Sequence, residues 1–452
     1  MAIQVHIDPA KTYQTIEGFG ASGAWWAQLV GGAEDHVREQ ILRLLYDKTE
    51  GLGMNTYRCN LGGGSKESGK GRFGEVNRRA SSFDDGEDSY DWSRDAQAQW
   101  CLQEAVRLGA DEIVLFANSP PERWTVTGTA QGRVLFKPNL RRDCEAKFVR
   151  YVLDVAEHFI AEGVPVKFLS PINEPFGPWI ERLCGQEGCH YRPSGVRRLM
   201  RLFAREMDKR PTLHGVLLSG AENNDLRLMN KTYTRAVMDD EVIRGRLDGI
   251  DVHGYVFKPL KCLKGVKRRF RRYMDRHYPG APIRMTEWTE MRGGRDLGME
   301  SALVQADTMF EDLSVLNAVS WQHWIAVSEY DFCDGLLYID KTASEVVIPK
   351  RYYAFGNFTR FVPRGAVRIG IETPGAPKSL RSLAFRTESE FVLIFANRGE
   401  TPLALALAGQ AAEAEMWVTS EERSLEPERV VPGGFALPGR SVCTVILPLR
   451  SR

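Results

Sequence analysis

The sequence predicts an α/β fold, a (β/α)8 TIM barrel with an antiparallel β-sandwich as a side domain, and three observations carry that prediction. Eight short apolar or β-branched runs each lead through a polar, Gly-rich or Pro-containing turn into a segment with apolar residues at three- and four-residue steps. These units fill roughly 310 residues, which suits a barrel of about 250 residues with loop insertions, and no strand is followed by the G-x-G-x-x-G of a doubly wound fold. Past about residue 345 the pattern changes to short strands between Gly, Pro and charged turns, without a convincing helix.

The chain opens on IQVHID (3–8), whose apolar and polar residues alternate, so residues 1–14 are expected to join the terminal sandwich and tie the two ends of the chain together. The barrel, 15–345, is read from TIEGFGAS (15–22), MNTYRCNLG (54–62), EIVLFANSP (112–120) and VKFLSPINE (166–174), followed by GVLLSGAEN (215–223), GIDVHGY (249–255), PIRMTEW (282–288) and AVSWQHW (318–324). Helical periodicity is clearest over 95–110, 144–163 and 300–317, segments that would cover the strands from outside. The sandwich, 346–452, holds VRIGIET, SLAFRT, EFVLIFANR, EMWVTS and SVCTVILPL.

Composition narrows the function classes. With 452 residues, 43% hydrophobic and 26% charged, the chain is globular, and 60 Lys+Arg against 59 Asp+Glu leave a formal charge of +1. No global field recruits nucleic acid or an anionic membrane, and no run approaches the ~20 apolar residues of a spanning helix. The first residues carry no basic-then-apolar signal pattern, so the chain as given is expected to be cytoplasmic, or secreted if a signal was removed, and to act as a monomer. The basic run KCLKGVKRRFRR (261–272) reads as a solvated helix face, and the acidic DDGEDSYD (84–91) as a hydrated loop. Eight cysteines are scattered apart from Cys184 and Cys189, so no disulfide framework or zinc spacing is legible. No metal and no cofactor are expected.

Chemistry is sought at the strand ends, where barrels place their active face. Acids, amides and aromatics collect there: Arg58, Asn60, Asn118, Trp124, Asn173, Glu174, Glu222, Asn223, His253, Tyr255, Glu287, Trp288, Trp321, Gln322 and Trp324. Glu174 in SPINEP and Glu287 in RMTEW, at the mouths of strands four and seven, are the expected catalytic pair. Strands three steps apart can bring two such carboxyls to the ~5–5.5 Å separation of a retaining glycosidase. One must stay protonated and the other ionised. Arg58 and Tyr255 are expected to hydrogen-bond Glu287 and lower its pKa, and Asn173 to donate to a sugar 2-hydroxyl. Glu222 is open between binding a substrate hydroxyl and capping a helix. Asn60, Asn118, Trp124, His253, Trp288 and Trp321 complete the expected binding set. Among Trp25, Trp26, Trp124, Trp179, Trp288, Trp321 and Trp324, three or four are expected to stack on sugar rings.

These motifs resemble glycoside hydrolase family 30 along essentially the whole chain: IEGFGASGAWWA, YRCNLGGG, FANSPPERW, LSPINEP, QEGCHY, DVHGY, MTEW, and YYAFGNFTRFVPRGAVRI leading into the side domain. The resemblance implies a (β/α)8 enzyme acting on β-glycosides, with Glu174 as acid/base and Glu287 as nucleophile. QEGCHY, NLGGG and ANSPP look closest to the endo-β-1,6-galactanase-like group; glucuronoxylanases, β-1,6-glucanases and glucosylceramidases are the alternatives within the family. Two loops depart from the family pattern, PFGPWIERLCG after Glu174 and TVTG after Trp124. A non-catalytic carbohydrate-binding barrel would have the same fold but no need of both glutamates. A sugar-phosphate enzyme would use Gly293 and Gly294 after strand seven.

Overall fold

The computed structural model describes residues 2–86, 89–227, 229–255, 263–407, 413–431 and 433–449. Its barrel strands are Gly18–Ser22, Thr56–Leu61, Glu112–Ala117, Val166–Ser170, Leu217–Leu218 continued by Ala221–Asp225, Ile250–Tyr255, Ile283–Trp288 and Ala318–Ser328. Each pairs in parallel with the next, and the eighth returns to the first. The fifth closes the ring in two pieces, Leu217–Leu218 against the fourth and Ala221–Asp225 against the sixth. Between them Ser219 donates its N–H to Leu169 O and Gly220 O accepts from Asp251 N, so the hydrogen bonding continues across the break.

Most of these strands are buried along their whole length, as parallel strands covered on both faces must be. A Cβ at Gly20 would lie 2.3 Å from Thr56 O, so glycine there lets the first two strands approach. The helices form where the period predicted them. Glu145–Ala161 buries Phe148, Val152, Val155 and Phe159 on one stripe, Ala96–Leu108 buries Cys101, Leu102 and Ala105, and Met299–Glu311 runs into a π turn at Asp312–Leu316.

The side domain is a nine-stranded sheet path folded around one apolar core that includes Val5, Ile369, Leu393, Phe395, Met416 and Val445. Strand Ile3–Thr15 completes it, antiparallel to Val367–Glu372 and parallel to Leu403–Leu407. One expectation fails here: the region after residue 345 does hold a helix, Lys350–Thr359. Its sequence YYAFGNFT is aromatic and nearly all buried, which hides the amphipathic stripe from which a surface helix is recognised. The basic run begins outside the described residues at 261–262 and continues as helix Leu263–His277, with Lys267 completely buried 2.8 Å from Asp312. The acidic stretch includes 87–88, also outside them; its Asp84 accepts from Arg123 Nε at 2.6 Å. No helix among the described residues is long and apolar enough to cross a membrane.

Candidate active site

Two acidic residues stand out first by their backbone. Glu174 and Glu222 hold φ of +44° and +47°, a region that residues with a Cβ rarely adopt and that concentrates at functional sites. Each supports the other, since Glu174 N donates to Glu222 O at 2.9 Å. Below Glu174 the loop turns tightly, with Gly177 N donating back to Glu174 O at 2.8 Å, and Trp179 Nε1 donates to the same carbonyl, also at 2.8 Å. The Trp179 ring lies between Gly177 and Gly188, where an added Cβ would come within 2.3 Å of it on either side. The glycines of PFGPW and QEGCHY are thus the slot for the indole that fixes the Glu174 backbone.

Strands two, five, six and seven bring four charged residues against Glu174. Arg58 Nη1 donates to Glu287 Oε2 at 2.6 Å and Nη2 donates to Asn173 Oδ1 at 2.8 Å. Asn173 Nδ2 passes a hydrogen bond to Asn118 Oδ1 at 2.9 Å, and Asn118 Nδ2 one to Asn60 Oδ1 at 3.2 Å, an amide relay across the mouths of strands two to four. His253 stands between three carboxyls: Nε2 is 2.6 Å from Glu222 Oε2, and Nδ1 is 2.9 Å from Glu174 Oε1 and 3.5 Å from Glu287 Oε1. Ser170, Ser219 and Thr286 hydroxyls donate to Glu222 at 2.8–2.9 Å, leaving it no reason to take up a proton.

The electrostatics follow from this packing. Burial opposes the charge of His253, yet Glu287, Glu174 and Glu222 push it up to about 10, so it is an imidazolium at neutral pH. Burial would also raise Glu222, but Arg58 and His253 outweigh it and hold that carboxyl well below the usual range. For Glu287 burial wins: its carboxyl is raised against the pull of His253 and Arg58. This corrects the expectation that Arg58 and Tyr255 would lower it. Burial and the facing Glu287 and Glu174 carboxyls raise Tyr255 well above its ordinary value, so its hydroxyl is a proton donor.

Glu174, Glu287 and His253 offer one oxygen, one oxygen and one nitrogen within 4.8 Å of one another. That is also a spacing a cation could use. Here the histidine already carries the positive charge that draws the carboxyls together. Three expected binding residues are fully buried: Arg58 and His253 are turned to the carboxyls around them, and Glu222 to His253, Arg58 and three hydroxyls. Glu222 therefore neither binds a substrate hydroxyl nor caps a helix. Trp321 is a further correction. Its ring is completely buried, packed on Phe355, and its Nε1 donates to Asp312 Oδ2 at 3.0 Å, which makes it core between strand eight and the helices. Trp324, three residues on, packs on Phe116 and Trp25 instead. Trp124 is buried edge-on against Tyr151, and Trp288 is buried at a tilt against Trp321.

Sequence reasoning missed Ser170, Ser219 and Thr286. A signal existed, since Ser170 stands in LSPINEP and Thr286 directly precedes Glu287. It also missed Glu187 of QEGCHY, a buried carboxyl that accepts from Gly63 N at 2.7 Å and from Ser65 Oγ at 2.5 Å, joining the loops after strands two and four. Cys184 and Cys189 are both free thiols.

A barrel with this charge-paired carboxyl cluster at its mouth and a sandwich at its side has the form of a glycoside-cleaving enzyme, and the comparisons agree. The sequence model of O-glycosyl hydrolase family 30 matches residues 2–242 and 286–338, and the chain belongs to that family. An endo-β-1,6-galactanase of Hypocrea rufa is 26% identical over 420 residues, covering 87% of this chain and 81% of that protein. A conserved exported protein from Bacteroides fragilis superposes with a TM-score of 0.89 at 21% identity, covering 98% of this chain and 100% of that one. The catalytic domain of a family 30 xylanase C from Talaromyces cellulolyticus gives 0.76 at 18% identity, covering 98% and 99%.

Proposed function

We propose that this glycoside hydrolase cleaves β-linked glycans of the β-1,6-galactan type with retention of configuration, Glu287 acting as nucleophile and Glu174 as acid/base. The observation that carries the reading is the approach of the two carboxyls, whose oxygens come within 4.8 Å. Retaining enzymes hold the pair at about 5–5.5 Å, whereas inverting ones leave about 6.5–9.5 Å for a water.

In the first step Glu287 attacks the anomeric carbon, the bond from that carbon to the glycosidic oxygen breaks, and Glu174 gives its proton to the departing oxygen. Water then attacks the glycosyl-enzyme ester, Glu174 takes the water's proton, and Glu287 leaves as carboxylate. Arg58 pairs with Glu287 at 2.6 Å and His253 with Glu174 at 2.9 Å, so each carboxyl of the pair has its own basic partner. The galactan preference is supported by the Hypocrea rufa relative and by the NLGGG, ANSPP and QEGCHY segments.

The roles are tested with Glu174→Ala and Glu287→Ala on a dinitrophenyl glycoside in the presence of azide. Azide should speed both variants, giving a β-glycosyl azide with Glu174→Ala and an α-glycosyl azide with Glu287→Ala; an α-azide from Glu174→Ala with a β-azide from Glu287→Ala would reverse the assignment. Product sizing on β-1,6-galactan, arabinogalactan, glucuronoxylan and β-1,6-glucan tests the substrate, and preferential cleavage of either of the last two would overturn the galactan reading.

A further inference from the structure

Every tryptophan expected to stack on sugar keeps less than a tenth of its surface in solvent. Open aromatic surface is found instead in the loop that follows strand three. Phe136 is 41% exposed and stacks in parallel on Phe176, ring centroids 5.0 Å apart and planes 10° from each other, with the His190 ring edge-on at 5.6 Å. Phe136 also holds φ +56°, a backbone that a bulky side chain rarely takes and that loop packing must enforce.

That packing is visible. Val126 N donates to Asn139 O at the neck of the loop, Gly132 N donates to Trp179 O, and Gln131 Nε2 donates to Cys184 O and Gln186 O, so the loops after strands three and four form one body. The body is joined to the acid: Phe176 stands two residues after Glu174, and Trp179 is the residue whose indole holds the Glu174 carbonyl. Val126, Val134, Leu135 and Leu183 expose further apolar surface on the same two loops. An apolar concentration of this kind on a rim marks a binding surface.

A proton donor sits beside the glycosidic oxygen, so a rim surface built on the loop that carries Glu174 is placed to meet the departing half of the substrate. Resting on the assignment of Glu174 as acid/base, we propose that Phe136, backed by Phe176, is the platform for the leaving-group sugar, a neutral hexopyranose that lays its C–H face on the exposed ring. Hydrophobic stacking on an aromatic ring suits a sugar without charge, and the parallel pair below keeps the ring from turning away.

The test compares two substrates with the same glycone, the sugar that the glycan panel selects. One is its β-glycosyl fluoride, whose leaving group is too small to reach Phe136, and the other is the natural disaccharide. Phe136→Ala should raise KM for the disaccharide between about 3- and 10-fold, leave kcat/KM for the fluoride within about twofold, and Phe136→Trp should restore the disaccharide KM. Equal losses on both substrates, or no loss on either, overturn the proposal. A wild-type enzyme that turns over the fluoride but prefers an alkyl leaving group to a sugar also overturns it, in favour of an apolar aglycone. A wild type that turns over neither fluoride nor any glycan fails earlier, at the reading of the acid pair.

Discussion

A histidine that hydrogen-bonds two carboxyls and faces a third is a stability device as well as a positioning one, and the direction of its shift sets the sign. His253 is raised from 6.5 to about 10 on folding, so the stability it contributes is complete below pH 6.5 and is lost as pH climbs through about 10. Thermal denaturation between pH 6 and 10.5 should show a falling Tm that flattens in His253→Gln; an unchanged slope in that variant would separate the effect from His253. Glu222 acts in the opposite sense, its contribution present above the ordinary carboxylate pKa and lost as pH falls. Arg58 is the companion charge. Arg58→Met leaves Glu287 without its 2.6 Å partner in a buried site and should cost ~3–5 kcal/mol, besides activity. On the proposed roles, Glu287 and Glu174 set the chemistry at this scale. Glu174→Gln and Glu287→Gln should each lower kcat at least ~10³-fold, with the fold retained by circular dichroism. Because burial raises Glu287, the acid limb of the activity profile should fall above the ordinary carboxylate range, although a limb belongs to the coupled cluster and not to one residue. A limb at or below pH 4 would count against Glu287 as the group that must ionise.

Among the elements, the loops after strands two, three and four position Glu174, and they are held by buried polar side chains and glycine slots. Gly188 illustrates it: a Cβ there would lie 2.3 Å from the Trp179 ring, so Gly188→Ala must displace the indole and loosen the carbonyl of Glu174. Overpacking of this kind costs ~1–3 kcal/mol, and the misplaced acid should lower kcat more than it raises KM. A variant with wild-type kcat and normal Tm would show that the slot does not position Glu174. These loops also explain what was legible in the sequence. Strand ends with an unusual acid, such as N-E-P and T-E-W, announce themselves, because a barrel concentrates function there. The orientation of Trp321 did not, since alternation along a fully buried strand leaves no polar face to tell inside from outside. Phe136 was passed over in GRVLFKPNL because an exposed phenylalanine in a charged loop differs from a core residue only through its backbone and its neighbours. The upward shift of Glu287 was equally invisible, since motif spacing shows partners but not how completely they are buried.

At the scale of the whole molecule, the barrel and sandwich are joined by chain paths from both ends. Strand Ile3–Thr15 enters the sandwich before the barrel begins, and helix Lys350–Thr359 passes between the two afterwards. On the barrel side Tyr352 Oη donates to Leu44 O at 2.7 Å and Thr359 Oγ1 to Leu52 O at 2.6 Å. Toward the sandwich, the buried Asn357 donates to Trp417 O at 3.0 Å and to Thr444 Oγ1 at 3.1 Å, and accepts from Thr419 Oγ1 at 2.7 Å. Three polar groups of two sandwich strands thus meet one amide carried by a helix that packs on the barrel. Removing the amide leaves Thr419 Oγ1 without its 2.7 Å acceptor in a buried site, at ~1–3 kcal/mol, whereas Thr444 Oγ1 keeps its bond to Asn357 O. The intact protein should therefore unfold in a single calorimetric transition, with equal van't Hoff and calorimetric enthalpies. Asn357→Ala should lower Tm and separate that transition into two, because the coupling between the units is weakened more than either core. A variant that melts at lower temperature but still in one two-state step would place the coupling in the N-terminal strand instead, and deletion of residues 2–14 would then be the change that divides it.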